Sequence, residues 1–130
     1  MNAEKFSIKK RLKSFLYAFN GLLLLIKNEH NARIHLVATV CVIAAGFIFQ
    51  ITAFEWIAII FAIGLVFVSE IINSSIEQFA DFVSPDKHEK IKTVKDFAAA
   101  AVLVAAFISV IIGVIVFFKR ITTLLTILVY

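Results

Sequence analysis

Apolar and polar positions fall in long blocks along this chain, and the blocks predict helices throughout. From Phe6 to Ile26, residues Ile8, Leu12, Phe15, Leu16, Phe19, Leu22, Leu23 and Ile26 project within roughly 120° of one another at the helical period, with Lys10, Lys13, Ser14, Tyr17, Asn20 and Gly21 opposite. This predicts an amphipathic surface helix over 5–27, apolar side down in the membrane interface. A polar connection from Lys27 to Arg33 follows. Residues 34–50 then supply about 17 mostly apolar positions, the lower limit for crossing an ~30 Å hydrocarbon layer. A short turn leads to a second span over 54–83, opened by Glu55, an acid suited to a helix N-terminus, and Trp56, at home at headgroup level. At about 1.5 Å per residue this helix is about 45 Å long and must project beyond the hydrocarbon. Ser84 to Lys90 carries the only proline and reads as a loop over 84–90. A third span over 91–118 is stopped by Lys119 and Arg120, leaving a tail, 119–130. The predicted fold is an all-α membrane protein with one domain over 1–130: a surface helix followed by three transmembrane helices.

One polar stripe interrupts the second span. Glu70, Asn73, Ser74, Glu77 and Asp81 share an arc of roughly 100°, while Ile71, Ile72, Ile76, Phe79 and Phe82 take most of the remaining circumference. Ionisable groups in such a place are costly and mark function. Counting ~20 residues of hydrocarbon from Phe54 puts Glu70 and Asn73 near the inner boundary, with Glu77 and Asp81 in or beyond the headgroups.

Composition agrees with the spans: 62% of residues are hydrophobic and the mean hydropathy is +0.98, so much of the apolar surface must face lipid. The net charge of +4 sits in blocks at the N-terminus and around residues 83–95, with none in 49–56 apart from Glu55. By the positive-inside rule the N-terminus and the 84–95 segment are cytoplasmic, and the first turn and the C-terminus lie outside. Basic blocks beside spans contact anionic headgroups, so nucleic acid is not the expected partner. The single cysteine, Cys41, reads as a small packing residue. His88 lacks zinc-ligand spacing to another His or Cys.

Across the 84–90 loop, Glu70, Glu77 and Asp81 face Lys95 and Asp96, and Glu29 approaches the same boundary. Carboxylates beside a lysine suit a hard divalent cation and phosphate, the parts that phosphoryl transfer needs. Neither P-loop glycines nor a kinase glycine-rich loop is present, so a nucleotide-using kinase here has another design. A transporter or proton-relay protein is the rival reading, because intramembrane acids also mark ion pathways. It leaves Lys95, Asp96 and residues 86–88 without a role.

With these residues in view, the chain resembles the small prokaryotic diacylglycerol kinases, which include the undecaprenol kinases. Their motif, Glu-x-x-Asn-Ser/Thr-Ala-x-Glu-x-x-x-Asp, is matched by Glu70, Asn73, Ser74, Glu77 and Asp81, with Ser75 in place of the alanine. Asn28-Glu29, Lys95-Asp96 before an alanine run, and the Ser84–His88 spacing also fit. The likeness covers about residues 5–118. It implies ATP- and Mg²⁺-dependent phosphorylation of a lipid alcohol, diacylglycerol or undecaprenol, at the cytoplasmic face of the bacterial inner membrane. Glu70 would be the general base, and Glu29 and Glu77 would hold Mg²⁺. Lys10, Tyr17, Glu29, Glu77, Asp86, Lys87, His88, Lys95 and Asp96 would lie along ATP, with Asn73 and Asp81 ordering the site. The resemblance further implies a homotrimer with shared active sites, which the small residues of the third span accommodate. His35, expected at the membrane interface, and Glu55-Trp56 look more like the undecaprenol-kinase branch.

Overall fold

Helix starts and stops follow local backbone chemistry. The computed structural model describes residues 7–86 and 88–129, which form four helices: α1 (Ile8–Asn28), α2 (His30–Ile48), α3 (Ala53–Val83) and α4 (Glu89–Val129). The last three are long and apolar enough to cross a membrane. Between α1 and α2 only Glu29 leaves the helical region, at φ −96° and ψ 121°, and its N–H still donates to the Leu25 carbonyl at 2.8 Å. The polar connection expected over 27–33 is therefore a one-residue corner, and α2 begins four residues before the predicted span. Nothing from His30 to Arg33 opposes a helix, and Ala32 is fully buried.

At the far end of α2, Gln50 adopts a left-handed conformation (φ 49°) while the Ile51 N–H reaches back to the Gly46 carbonyl at 3.1 Å. Thr52 then caps α3. The Glu55 N–H donates to Thr52 Oγ1 at 3.4 Å and the Thr52 N–H donates to Glu55 Oε2 at 2.7 Å, the reciprocal capping box. Pro85 and its neighbours end α3 and separate it from α4.

α4 departs from expectation. It starts two residues early and continues unbroken through Lys119 and Arg120 to Val129, 41 residues or about 61 Å. Arg120 does not end the helix because Glu55 answers its charge in a two-pronged contact, Nη1–Oε1 at 2.7 Å and Nη2–Oε2 at 2.8 Å. Beyond it, the hydroxyls of Thr122, Thr123 and Thr126 donate to helix carbonyls three or four residues earlier, so they need no water.

α3 and α4 pack antiparallel along most of their length. Their contact is close because its floor is small: Ala62, Ala98 and Ala105 are buried, and Ser109 Oγ donates to the Ala62 carbonyl at 3.1 Å. Ion pairs bracket it, Glu55–Arg120 at the end with the α2–α3 turn and Asp81–Lys95 at the end with the α3–α4 loop. Glu55 and Asp81 are 26 residues, or about 39 Å, apart along α3, so the pairs can flank an ~30 Å hydrocarbon layer. An apolar cluster of Ile51, Ile59, Val116 and Phe117 fills the turn end. There Gly46 lies so close to the Trp56 ring that an added Cβ would stand 2.6 Å from Cη2. The outward apolar faces of the spans stay exposed, as a lipid environment requires.

Candidate active site

The polar stripe of α3 is turned into the bundle and grades from buried to open toward the loop end. Glu70, Asn73 and Ser74 are buried, with Glu70 only 2% exposed; Glu77 is half-buried and Asp81 exposed. Such an order follows from one helix emerging from its neighbours at a fixed face.

Glu70 meets α2 through His35, whose Nε2 lies 3.2 Å from Oε1 without the alignment of a directed hydrogen bond. His35 thus stands beside the most buried acid of the stripe. Glu29, half-buried at the α1–α2 corner, and Glu77 are close enough for their charges to act on Glu70. Asn73 Nδ2 donates to Glu77 Oε1 at 3.1 Å, fixing one oxygen of that carboxylate. Among the described residues, Glu70 Oε1, Asn73 Oδ1 and Ser74 Oγ have no hydrogen-bond partner.

The second half of the site lies where α3 passes into α4. Lys95 Nζ stands 2.9 Å from Asp81 Oδ1 and is also within electrostatic reach of Glu77. Around this pair is a cavity of about 470 Å³ lined in part by Asp81, Ser84, Asp86, His88, Lys92 and Lys95. The Ser84 hydroxyl donates to the Asp86 carbonyl at 3.0 Å and the Lys90 N–H to His88 Nδ1 at 3.2 Å, which shapes the loop around the opening.

Asp96 is not drawn in with Lys95. Consecutive helix residues point about 100° apart, and Asp96 instead pairs with Lys92 at 2.6 Å on the exposed side of α4. Lys10 and Tyr17 stand exposed on α1, the helix that delivers Glu29. Lys87 lies outside the described residues. No cluster of three or more His, Cys, Asp or Glu side chains suited to a metal occurs among the described residues. Two carboxylates, Glu29 and Glu77, still fit Mg²⁺, which takes one or two from protein and completes its shell with phosphate and water.

Helices of spanning length with a row of acids and a lysine gathered at one end define a small multi-pass membrane protein with a phosphate-compatible site. Residues 16–117 match the prokaryotic diacylglycerol kinase family. The chain is 34% identical to the undecaprenol kinase of Bacillus subtilis over 87% of its own length and 92% of that protein's. It is 36% identical to a diacylglycerol kinase of Synechocystis over 78% of its length and 59% of the relative, and 31% identical to that of Escherichia coli K12 over 77% and 82%. The chain belongs to the prokaryotic diacylglycerol kinase family and is a lipid kinase. That membership decides against the transporter reading.

Proposed function

We propose that this kinase transfers the γ-phosphoryl group of ATP, with Mg²⁺, to the hydroxyl of diacylglycerol or undecaprenol at the cytoplasmic face of the bacterial inner membrane. The observation that carries the reading is the graded stripe: one helix face presents a buried carboxylate, Glu70, and then a half-open one, Glu77, beside Lys95 and the loop cavity. A lipid alcohol cannot leave the bilayer and ATP cannot enter it, so a site shared by both must run from apolar surroundings to an open end. Glu70 takes the hydroxyl proton as general base, a role typically worth 10²–10⁴-fold in rate. Glu77, about 10 Å further along α3, and Glu29 hold Mg²⁺. Bound there, the cation would neutralise charge on the phosphates. Lys95, Asp86 and His88 in the cavity line the nucleotide with Lys87, while Tyr17, Lys10 and Asp96 complete its outer contacts. Asn73 and Asp81 order the site through Glu77 and Lys95.

The same reading lays α1 in the interface and keeps the N-terminus and the 84–95 segment inside, with the C-terminus outside. The same reading includes a homotrimer with shared sites; close packing of copies is supported by an apolar groove on α3 and α4, lined in part by Ala98, Ala101 and Ala105. The coverage of the undecaprenol kinase, 92% of its length, supports that lipid as a substrate beside diacylglycerol.

The test is ATP-dependent phosphorylation of both lipids, side by side in mixed micelles, for the parent and Glu70→Gln. The parent should phosphorylate at least one, and Glu70→Gln should be about 10²–10⁴-fold slower while still binding ATP. Turnover of Glu70→Gln within a few-fold of the parent would place the base elsewhere.

A further inference from the structure

We propose that His35 is the proton outlet of the site, draining Glu70 between turnovers; the inference rests on Glu70 being the base. Each phosphoryl transfer leaves the lipid hydroxyl proton on a carboxylate whose side chain is 3% exposed, and that proton must leave before the next hydroxyl can be activated. The immediate surroundings offer few exits. Ile71 is apolar, and Asn73 and Ser74 neither gain nor lose a proton near neutral pH. Glu29 and Glu77 are assigned to the metal. Among the described residues, it is His35 that combines contact with Glu70, Nε2 to Oε1 at 3.2 Å, with a side chain that is 23% exposed.

Imidazole suits the task because it can accept a proton on one nitrogen while releasing one from the other near neutral pH. The step balances without a further reactant. The Glu70 carboxyl O–H breaks as an N–H forms at His35 Nε2, giving carboxylate and imidazolium. Imidazolium then loses its Nδ1 proton to water, and a second exchange with water returns the ring to its starting tautomer. His35 touches neither lipid nor nucleotide in this scheme; it acts only through Glu70.

A rapid-quench measurement of phosphorylated lipid separates draining from positioning. His35→Gln keeps a polar side chain of similar reach but cannot carry a proton. With the lipid alcohol that the parent phosphorylates faster, this variant should form one product per site at a rate within two-fold of the parent. It should then settle to a steady state roughly 10²-fold slower, the lower end of what positioned proton transfer contributes. The burst amplitude counts folded, competent sites. Steady-state turnover within two-fold of the parent overturns the relay. So does a slowed first turnover in protein that still binds ATP, because that result assigns His35 to orienting the base. If the Gln variant does not bind ATP, His35→Asn is judged by the same two criteria, and loss of binding there as well overturns the relay in favour of a structural role. A parent that phosphorylates neither lipid, or a Glu70→Gln variant with the parent's first turnover, removes the underlying reading and the relay with it.

Discussion

Asn73 offers a quantitative test of how the metal end of the site is held. Its amide donates to Glu77 Oε1 at 3.1 Å from a buried position, so Glu77 has one oxygen fixed and one to present. Hydrogen bonds to charged groups contribute about 1.5–3 kcal/mol, or roughly 10–150-fold in an equilibrium constant. Glu77 is half-buried, and water can partly replace the lost donor, so the lower end applies, about 10–30-fold. Asn73→Ala should therefore raise the half-saturating Mg²⁺ concentration by about 10–30-fold, with the rate at saturating Mg²⁺ within a few-fold of the parent. Asn73→Asp should be worse, since it sets a second carboxylate against Glu77 where a donor stood. The assay is lipid phosphorylation across a Mg²⁺ titration at fixed ATP in mixed micelles. A rate lowered equally at every Mg²⁺ concentration would refute the reasoning and move Asn73 from the metal to the lipid side of the site.

Two further predictions test the frame and the nucleotide end. Gly46→Ala places a methyl 2.6 and 2.8 Å from two Trp56 ring atoms, and the ring also contacts Phe47 at a centroid distance of 5.0 Å. This overpacking should cost about 1–3 kcal/mol, read as a lower thermal midpoint with altered Trp56 fluorescence and unchanged activity per folded molecule; an unaltered midpoint would show that the ring moves freely. Exchanging Asp81 and Lys95 in a double variant should restore the ion pair between α3 and α4 but not the parent KM for ATP, because a carboxylate then faces phosphate. Recovery of that KM would confine Lys95 to a structural role.

The parts of the architecture legible in the sequence are those written in one helix. The stripe from Glu70 to Asp81 is a periodicity of a single segment, so its shared face could be read before any neighbour was known. Contacts between helices carry no such local signal. His35 lies 35 residues before Glu70 in the chain, and only packing of α2 on α3 brings the two together. Adjacency misleads for the opposite reason: Lys95 and Asp96 read as one pair, yet the helical turn sends them to Asp81 and Lys92. Charge at Lys119 and Arg120 read as the end of a span, because the answering charge, Glu55, lies 65 residues earlier.

The two ends of the bundle carry opposite designs, and the difference bears on where chemistry can occur. At the turn end Thr52, Glu55 and Arg120 satisfy one another, Gly46 admits Trp56 closely, and an apolar cluster fills the space between. Toward the loop end, buried atoms of Glu70, Asn73 and Ser74 have no hydrogen-bond partner among the described residues. A buried polar atom left without a partner costs about 1–3 kcal/mol, and a fold tolerates such groups where other parts over-determine the structure. The close α3–α4 contact, held by ion pairs at both ends, supplies that rigidity. It lets one face of α3 keep Glu70, Asn73 and Ser74 buried, oriented by the helix, while the Asn73 amide also donates to Glu77. Groups held in this way have free hydrogen-bonding capacity for a hydroxyl, which is what the proposed base needs and what Glu55, paired with Thr52 and Arg120, lacks.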